Sequence, residues 1–153
     1  MWDFKGRPGG VLGSDARLIV KCCTSGYVAG MAHERQRLGA EGERAAEKYL
    51  RRQRYAILQR NYRCRAGEVD LIALDGYTVV FVEVKTRTQP GFGTPLEAVD
   101  PRKQRHIQRA AQYYLAENRL QGRDARFDVV GVWWEGGEVH CELVKNAFDF
   151  AGR

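Results

Sequence analysis

Gly67-Glu68-Val69-Asp70-Leu71-Ile72-Ala73 and Val79-Val80-Phe81-Val82-Glu83-Val84-Lys85 are two apolar runs, each broken by carboxylates, and the second closes on Glu-x-Lys. Charged groups rarely stand inside sheet-core sequence unless they are paired or bound to something, because stripping water from a carboxylate is costly. Asp75-Gly76 lies between the runs, and a two-residue Asp-Gly loop is a strong hairpin signal. With Asp75 and Gly76 as the loop, Leu74 pairs with Tyr77, Asp70 falls opposite Phe81 and Glu83 opposite Glu68. Period-two alternation then places Glu68, Asp70, Glu83 and Lys85 on one face with Ile72, Leu74 and Phe81. Val69, Leu71, Ala73, Val80, Val82 and Val84 take the other face. Asp70 and Glu83 become diagonal neighbours, roughly 7–8 Å apart at the backbone, so that their side chains converge on one ion. A register slip of two residues preserves this convergence, whereas a slip of one destroys it.

These residue types point to metal-assisted phosphodiester chemistry. Mg²⁺ takes oxygen ligands, typically one or two carboxylates completed by water and substrate phosphate. Such an ion polarises a phosphoryl oxygen and lowers the pKa of its water, and a lysine beside it positions that water or offsets charge in the transition state. The bland alternative is an exposed amphipathic hairpin whose Glu83 and Lys85 are a solvated pair. A face that also carries Ile72, Leu74 and Phe81 fits a cleft floor better.

From Leu38 to Arg54 the chain is rich in Ala, Glu, Lys, Arg and Leu, which predicts a helix. Leu38, Ala45, Ala46, Tyr49 and Leu50 define its inward stripe, and Glu43 lies along that stripe. Glu47, four before Arg51, reads as a surface pair. Residues 48–67 carry seven Lys or Arg and no acid, with Tyr49, Tyr55 and Tyr62 interleaved. Such a segment suits phosphate contacts with aromatics stacking on unpaired bases, or equally a solvated basic face with tyrosines in the core. A first strand is expected over Ala56 to Tyr62. Residues 86–99, with Pro90, Gly91, Gly93 and Pro95, read as a loop centred on Phe92. Asp100-Pro101 then opens a second helix, reaching about residue 119, with Ile107, Ala110, Ala111, Tyr114 and Leu115 as its apolar stripe. Arg102, Lys103, Arg105, His106 and Arg109 crowd its first half. Cations there oppose the helix dipole unless an anion is near, which favours phosphate binding around Lys103 and Gln104. Arg126 to Trp134 and Glu138 to Val144 read as a second hairpin around Glu135-Gly136-Gly137. Asp128, inside an apolar strand, fits a structural salt bridge as well as a catalytic part.

The arrangement Asp70…Glu83-x-Lys85, with a glutamate on a preceding helix, resembles the PD-(D/E)xK nuclease superfamily. From about Leu38 to Phe148 the chain resembles the YraN family of small bacterial proteins, related in fold to archaeal Holliday-junction resolvases. The matching pieces are Gly39-x-x-Gly42-Glu43-x-x-Ala46, Asn61-Tyr62-Arg63, Gly67-Glu68-Val69-Asp70-Leu71-Ile72, Phe81-Val82-Glu83-Val84-Lys85-x-Arg87 and Lys103-Gln104. Val69 stands where the superfamily has a proline before its aspartate. The resemblance implies an α/β fold of the restriction-endonuclease-like type: a mixed β-sheet core, led by an antiparallel hairpin, with flanking helices. It implies a metal-dependent endonuclease acting on DNA, of branched or recombination and repair type, with Glu43, Asp70, Glu83 and Lys85 as catalytic residues. Asp70 and Glu83 would hold Mg²⁺ or Mn²⁺, with Glu68 and Gln104 as additional members. Arg63, Arg65, Arg87, Arg102, Lys103 and Arg105 are the expected nucleic-acid contacts. Resolvase-like relatives act as dimers, so a homodimer is a further expectation.

The chain's 153 residues fit one domain with a modest core, and 44% hydrophobic with 29% charged is ordinary for a globular protein. A net charge of +6 favours a polyanionic partner. No apolar run is long enough to span a membrane. Cys22, Cys23, Cys64 and Cys141 lack Cys-x-x-Cys spacing and read as free thiols of a cytoplasmic protein, and the scattered His33, His106 and His140 argue against zinc. Residues 1–30 are Gly-rich and read as a disordered extension or a start-site artefact, with Met31 as the alternative initiator and 31–153 as the nuclease-like domain. Two other function classes remain open: a non-catalytic nucleic-acid-binding module that keeps the fold, and an interaction protein whose charges only solvate its surface.

Overall fold

The computed structural model describes residues 21–87 and 99–150, with side chains from residue 33. The chain divides into two compact units, Met1–Arg35 and Gln36–Arg153, and the whole sheet with the helix Pro101–Glu117 belongs to the second. The order of elements is α1 (Lys21–Arg52), β1 (Ala56–Cys64), β2 (Gly67–Asp75), β3 (Thr78–Arg87), α2 (Pro101–Glu117), β4 (Ala125–Glu135) and β5 (Glu138–Phe148). The strands form one sheet in sequence order, antiparallel except for the parallel pair β3–β4. A parallel pair needs a long crossover, and α2 lies within it. This mixed sheet with a helix on each face is the expected α/β architecture of the restriction-endonuclease-like type.

Both central faces of the sheet are covered, which is why β3 reads as a nearly continuous apolar run. On one face Ile72, Val79, Phe81, Phe127 and Val129 pack with Ile107, Ala110, Ala111, Tyr114 and Leu115 of α2. On the other Leu71, Ala73, Val80, Val82, Val130 and Val132 pack with Ala46 and Leu50 of α1. Tyr114 stands edge-on to both Tyr62 (centroids 5.2 Å apart) and Phe81 (5.9 Å). Each such pair adds about 0.5–1.5 kcal/mol to the area it buries. Tyr62 and Tyr55 are therefore core residues, and neither can stack on a base; the Tyr62 hydroxyl donates to Glu117 at 2.8 Å.

Two local expectations are corrected. The β2–β3 turn is Gly76-Tyr77, with Asp75 paired to Thr78, so the register is displaced by two residues. Gly76 takes φ 62 at the first loop position, as a type II′ turn requires. Asp75, drawn into the ladder, accepts from Arg126 at 2.7 Å and from Lys145 at 3.2 Å. The first helix also starts at Lys21, well before Leu38; Gly26, Gly30 and Gly39 are poor helix formers that conceal its upstream half from propensity alone. Residues 1–20 of the expected extension, and Phe92 with most of its loop, lie outside the described residues.

Asp128, fully buried, resolves to the structural alternative. It accepts from Arg126 Nε at 3.0 Å, from the Tyr55 hydroxyl at 3.2 Å and from the Asn146 backbone N–H at 2.9 Å. A buried charge held by three donors is the form in which an ion survives in a core.

Candidate functional site

β2 and β3 stay together only from Asp75↔Thr78 to Leu71↔Val82. Beyond that point β2 follows β1 as far as Gly67, while β3 follows β4 as far as Arg87. The sheet forks there, and the carboxylates sit in the fork. Asp70 Oδ2 accepts from the Val84 backbone N–H at 2.8 Å, a donor that an unbroken ladder would have used.

Asn61 shapes the β1 side of the fork. It stands with Asp70 between the pairs Arg60↔Leu71 and Tyr62↔Val69, and its φ is 48. Asn is one of the few residues that adopts this left-handed conformation readily. At this level the alternation of β2 breaks. Val69, expected beside Leu71, packs instead with Tyr62 and Ile72 on the α2 side. A plain period-two reading has no place for such a break, although an Asn inside an otherwise extended segment is its signature.

Glu83 is 3% exposed. Its Oε1 lies 3.0 Å from Lys85 Nζ and 3.4 Å from Lys103 Nζ, whereas its Oε2 is buried with no hydrogen-bond partner. Lys103 Nζ also reaches Glu68 Oε1 at 3.5 Å, and Arg63 Nε lies 3.5 Å from Glu68 Oε2. Burial, then the charge of Glu83, pushes the Asp70 carboxyl up to about 7 against the opposing hydrogen bond from Val84; the charge of Glu43 adds to the rise. Burial pulls Lys103 down, but Glu83, Asp70 and Glu68 outweigh it and hold the ammonium above its ordinary value. Glu68, Asp70, Glu83, Lys85 and Lys103 thus form one electrostatic unit at the fork.

The helices deliver the remaining parts. Gly42 brings α1 against β3 so closely that a Cβ there would lie 2.2 Å from Thr86 Oγ1, and Glu43 follows immediately. Glu43 lines a cavity of about 260 Å³ with Glu47, Arg60, Asn61 and Leu71. Glu47 bonds Arg60 Nε at 2.7 Å as well as its expected partner Arg51 at 2.9 Å. On α2, Asp100 caps the helix by accepting from the N–H groups of Arg102 and Lys103, and those bonds hold its carboxyl below the usual range, helped by the charge of Lys85. Gln104 does not join the cluster, because its amide donates to the Val99 carbonyl at 3.0 Å. Arg65 donates to the Tyr113 hydroxyl at 2.7 Å and lies over that ring. Arg102 and Arg105 are exposed, and Arg87 ends β3 where the fork opens.

Among the described residues no group of three or more His, Cys, Asp or Glu side chains is placed to hold a metal. Asp70 and Glu83, carboxylates with Glu68 nearby, are hard oxygen donors of the kind that suit the sparse protein contribution Mg²⁺ accepts. The orphaned Oε2 of Glu83, beside the half-buried carboxyl of Asp70, is an acceptor without a donor.

The sequence model of the uncharacterised protein family UPF0102 matches residues 42–132, a span that runs from Gly42 past Lys103 and contains every residue of the fork. A UPF0102 protein of Geobacter metallireducens is 48% identical over 121 residues, covering 79% of this chain and 99% of that one. One of Moorella thermoacetica is 48% identical over 120 residues, covering 77% and 100%. A third, from Geotalea uraniireducens, is 49% identical over 115 residues, covering 74% and 91%.

Proposed function

The chain belongs to the uncharacterised protein family UPF0102, and from that premise and its forked carboxylate pair we propose a metal-dependent endonuclease of the PD-(D/E)xK superfamily that hydrolyses phosphodiester bonds in DNA. The observation that carries this is the buried, unpartnered Oε2 of Glu83 beside the half-buried carboxyl of Asp70. Mg²⁺ or Mn²⁺ held by these two groups would supply Lewis-acid polarisation of the phosphoryl oxygen and a water of lowered pKa. Lys85, with Nζ 3.0 Å from Glu83 Oε1, orients the attacking water and offsets charge on the transition state. Lys103 balances the carboxylates before substrate arrives and then faces its phosphate. Glu43 adds acidic character from α1. Exposed Arg63, Arg102 and Arg105 hold the backbone of the nucleic acid around the fork.

No helix among the described residues is long and apolar enough to cross a membrane, and Cys64 and Cys141 are free thiols. Both accord with the cytoplasmic setting we assign to this activity. Lys85→Ala should abolish cleavage of labelled linear, single-stranded and four-way-junction DNA while leaving the circular-dichroism spectrum and melting midpoint near wild type. Undiminished cleavage by that variant would remove Lys85 from the mechanism.

One observation favours a second reading. Lys85 and Lys103 together compensate Glu83 without a metal, so the fold could serve a non-catalytic nucleic-acid-binding module. That protein would show salt-sensitive binding and no metal-dependent product.

A further inference from the structure

A second depression lies across the sheet from α2, between α1 and the β4–β5 hairpin, and the fork makes no use of it. It encloses about 450 Å³, a volume that fits a small ligand or a few stacked bases. Arg44, Lys48 and Arg52 run along its α1 wall at four-residue intervals, one row of the helix surface about 12 Å long. All three are exposed, and none pairs with a carboxylate among the described residues. The acid of this wall, Glu41, is drawn to Arg37 at 3.8 Å. Tyr49 rises half-buried within the cationic row, and the opposite wall presents the indole of Trp134 and the exposed Val139. Aromatic faces set among unpaired cations are what a strand of unpaired nucleotides requires: stacking for the bases, charge for the phosphates. A duplex keeps its bases stacked inside and has no use for the aromatic part.

The groove adjoins, through Arg44, the cavity beside the fork. Arg44 follows Glu43 in sequence and lines both this groove and the cavity that Glu43 shares with Asn61. We infer that the α1/β4–β5 groove seats a single-stranded nucleic-acid arm leaving the candidate site, so that the substrate class is DNA with an unpaired strand at the point of cleavage, such as a flap, fork or gap. This rests on the nucleic-acid reading above but needs no catalysis.

The test is fluorescence anisotropy of the full chain in EDTA, with an oligothymidylate of roughly 15 nucleotides and a blunt duplex of the same length as probes. Arg44→Ala/Lys48→Ala/Arg52→Ala alters exposed side chains, and its melting curve verifies the fold. The triple variant should bind the single strand about tenfold or more weaker, with the salt slope reduced by about 2 for three lost phosphate contacts. Its affinity for the duplex should stay within about twofold of wild type. Tyr49→Leu should weaken single-strand binding about fivefold or more at an unchanged salt slope, because it removes stacking and not charge. Wild-type affinity for the single strand in the triple variant would overturn the assignment, as would equal losses on both probes. Thymidine monophosphate competing as well as the oligomer would also overturn it, in favour of a nucleotide pocket. Because EDTA prevents cleavage, none of these results touches the nuclease reading, whose failure would appear as absent metal-dependent product while groove-dependent binding persisted.

Discussion

Substituting Gly42 by alanine probes the contact that sets α1 against the fork. In an isolated helix the change is favourable by about 1 kcal/mol, because alanine loses less backbone entropy than glycine. Here the new Cβ would meet Thr86 Oγ1 at 2.2 Å, with Thr86 Cβ at 3.4 Å and Cγ2 at 3.6 Å behind it. Threonine is stiff about χ1, and rotation only exchanges one branch for another, so α1 must lift or β3 must shift. Overpacking of this kind costs about 1–3 kcal/mol. Against the helical gain, Gly42→Ala should lose about 1 kcal/mol or somewhat more. Urea denaturation of the full chain followed by tryptophan fluorescence reads this, and a double-mutant cycle with Thr86→Ala isolates the cause. Once Oγ1 and Cγ2 are gone, the nearest atom is the Cβ at 3.4 Å, an ordinary contact, and Gly42→Ala should become neutral or stabilising. The expected coupling is about 1–3 kcal/mol. A Gly42→Ala variant as stable as wild type, or one whose loss persists undiminished beside Thr86→Ala, would refute the reasoning.

Asp128→Ala should destabilise the fold by about 3–5 kcal/mol, since it leaves buried donors on Arg126 and Tyr55 without their acceptor; a loss under about 1 kcal/mol in the same denaturation assay would contradict that. Asn61→Gly should be tolerated whereas Asn61→Val should cost about 1–2 kcal/mol, because the φ of 48 penalises a β-branched residue; equal melting points for the two variants would dissociate the conformation from stability. The Asp75 carboxyl is held below its ordinary value near 3.8 by the hydrogen bond from Arg126 and then by Lys145. Its stabilising effect is therefore present above that ordinary value and is lost as pH falls through the depressed one. The stability difference between wild type and Asp75→Asn should be constant from pH 7 to about 5 and shrink below about 4; a difference that grows on acidification would have the wrong sign.

Much of this architecture is legible in the residues. The α2 start follows from Asp100-Pro101, and every member of its apolar stripe, from Ile107 to Leu115, is buried. Both hairpins follow from their glycine turns. A two-residue error in register leaves the alternation of β3 unchanged, because side-chain alternation has period two. What was hidden depends on contacts distant in sequence. Whether Tyr55 and Tyr62 would stack on bases or fill the core turned on Asp128 and Tyr114, more than fifty residues away. Gln104, next to Lys103 in the chain, turns its amide back to Val99 and away from the carboxylates. The break at Asn61 and Asp70 arises where two strands leave a common ladder, and a single strand's pattern does not encode that event. Trp134 and Val139 join Arg44, Lys48 and Arg52 only through the packing of α1 on β4 and β5.

The central claim is that Asp70 and Glu83 form a divalent-cation site, and Mn²⁺ binding followed by electron paramagnetic resonance tests it without the choice of a DNA substrate. Wild-type protein, Asp70→Asn and Glu83→Gln would be titrated side by side, with Mg²⁺ as competitor. The account predicts one site per chain in wild type, displaced by Mg²⁺ and weakened about tenfold or more by either substitution. Equal Mn²⁺ uptake by all three proteins, or none by any of them, would contradict it.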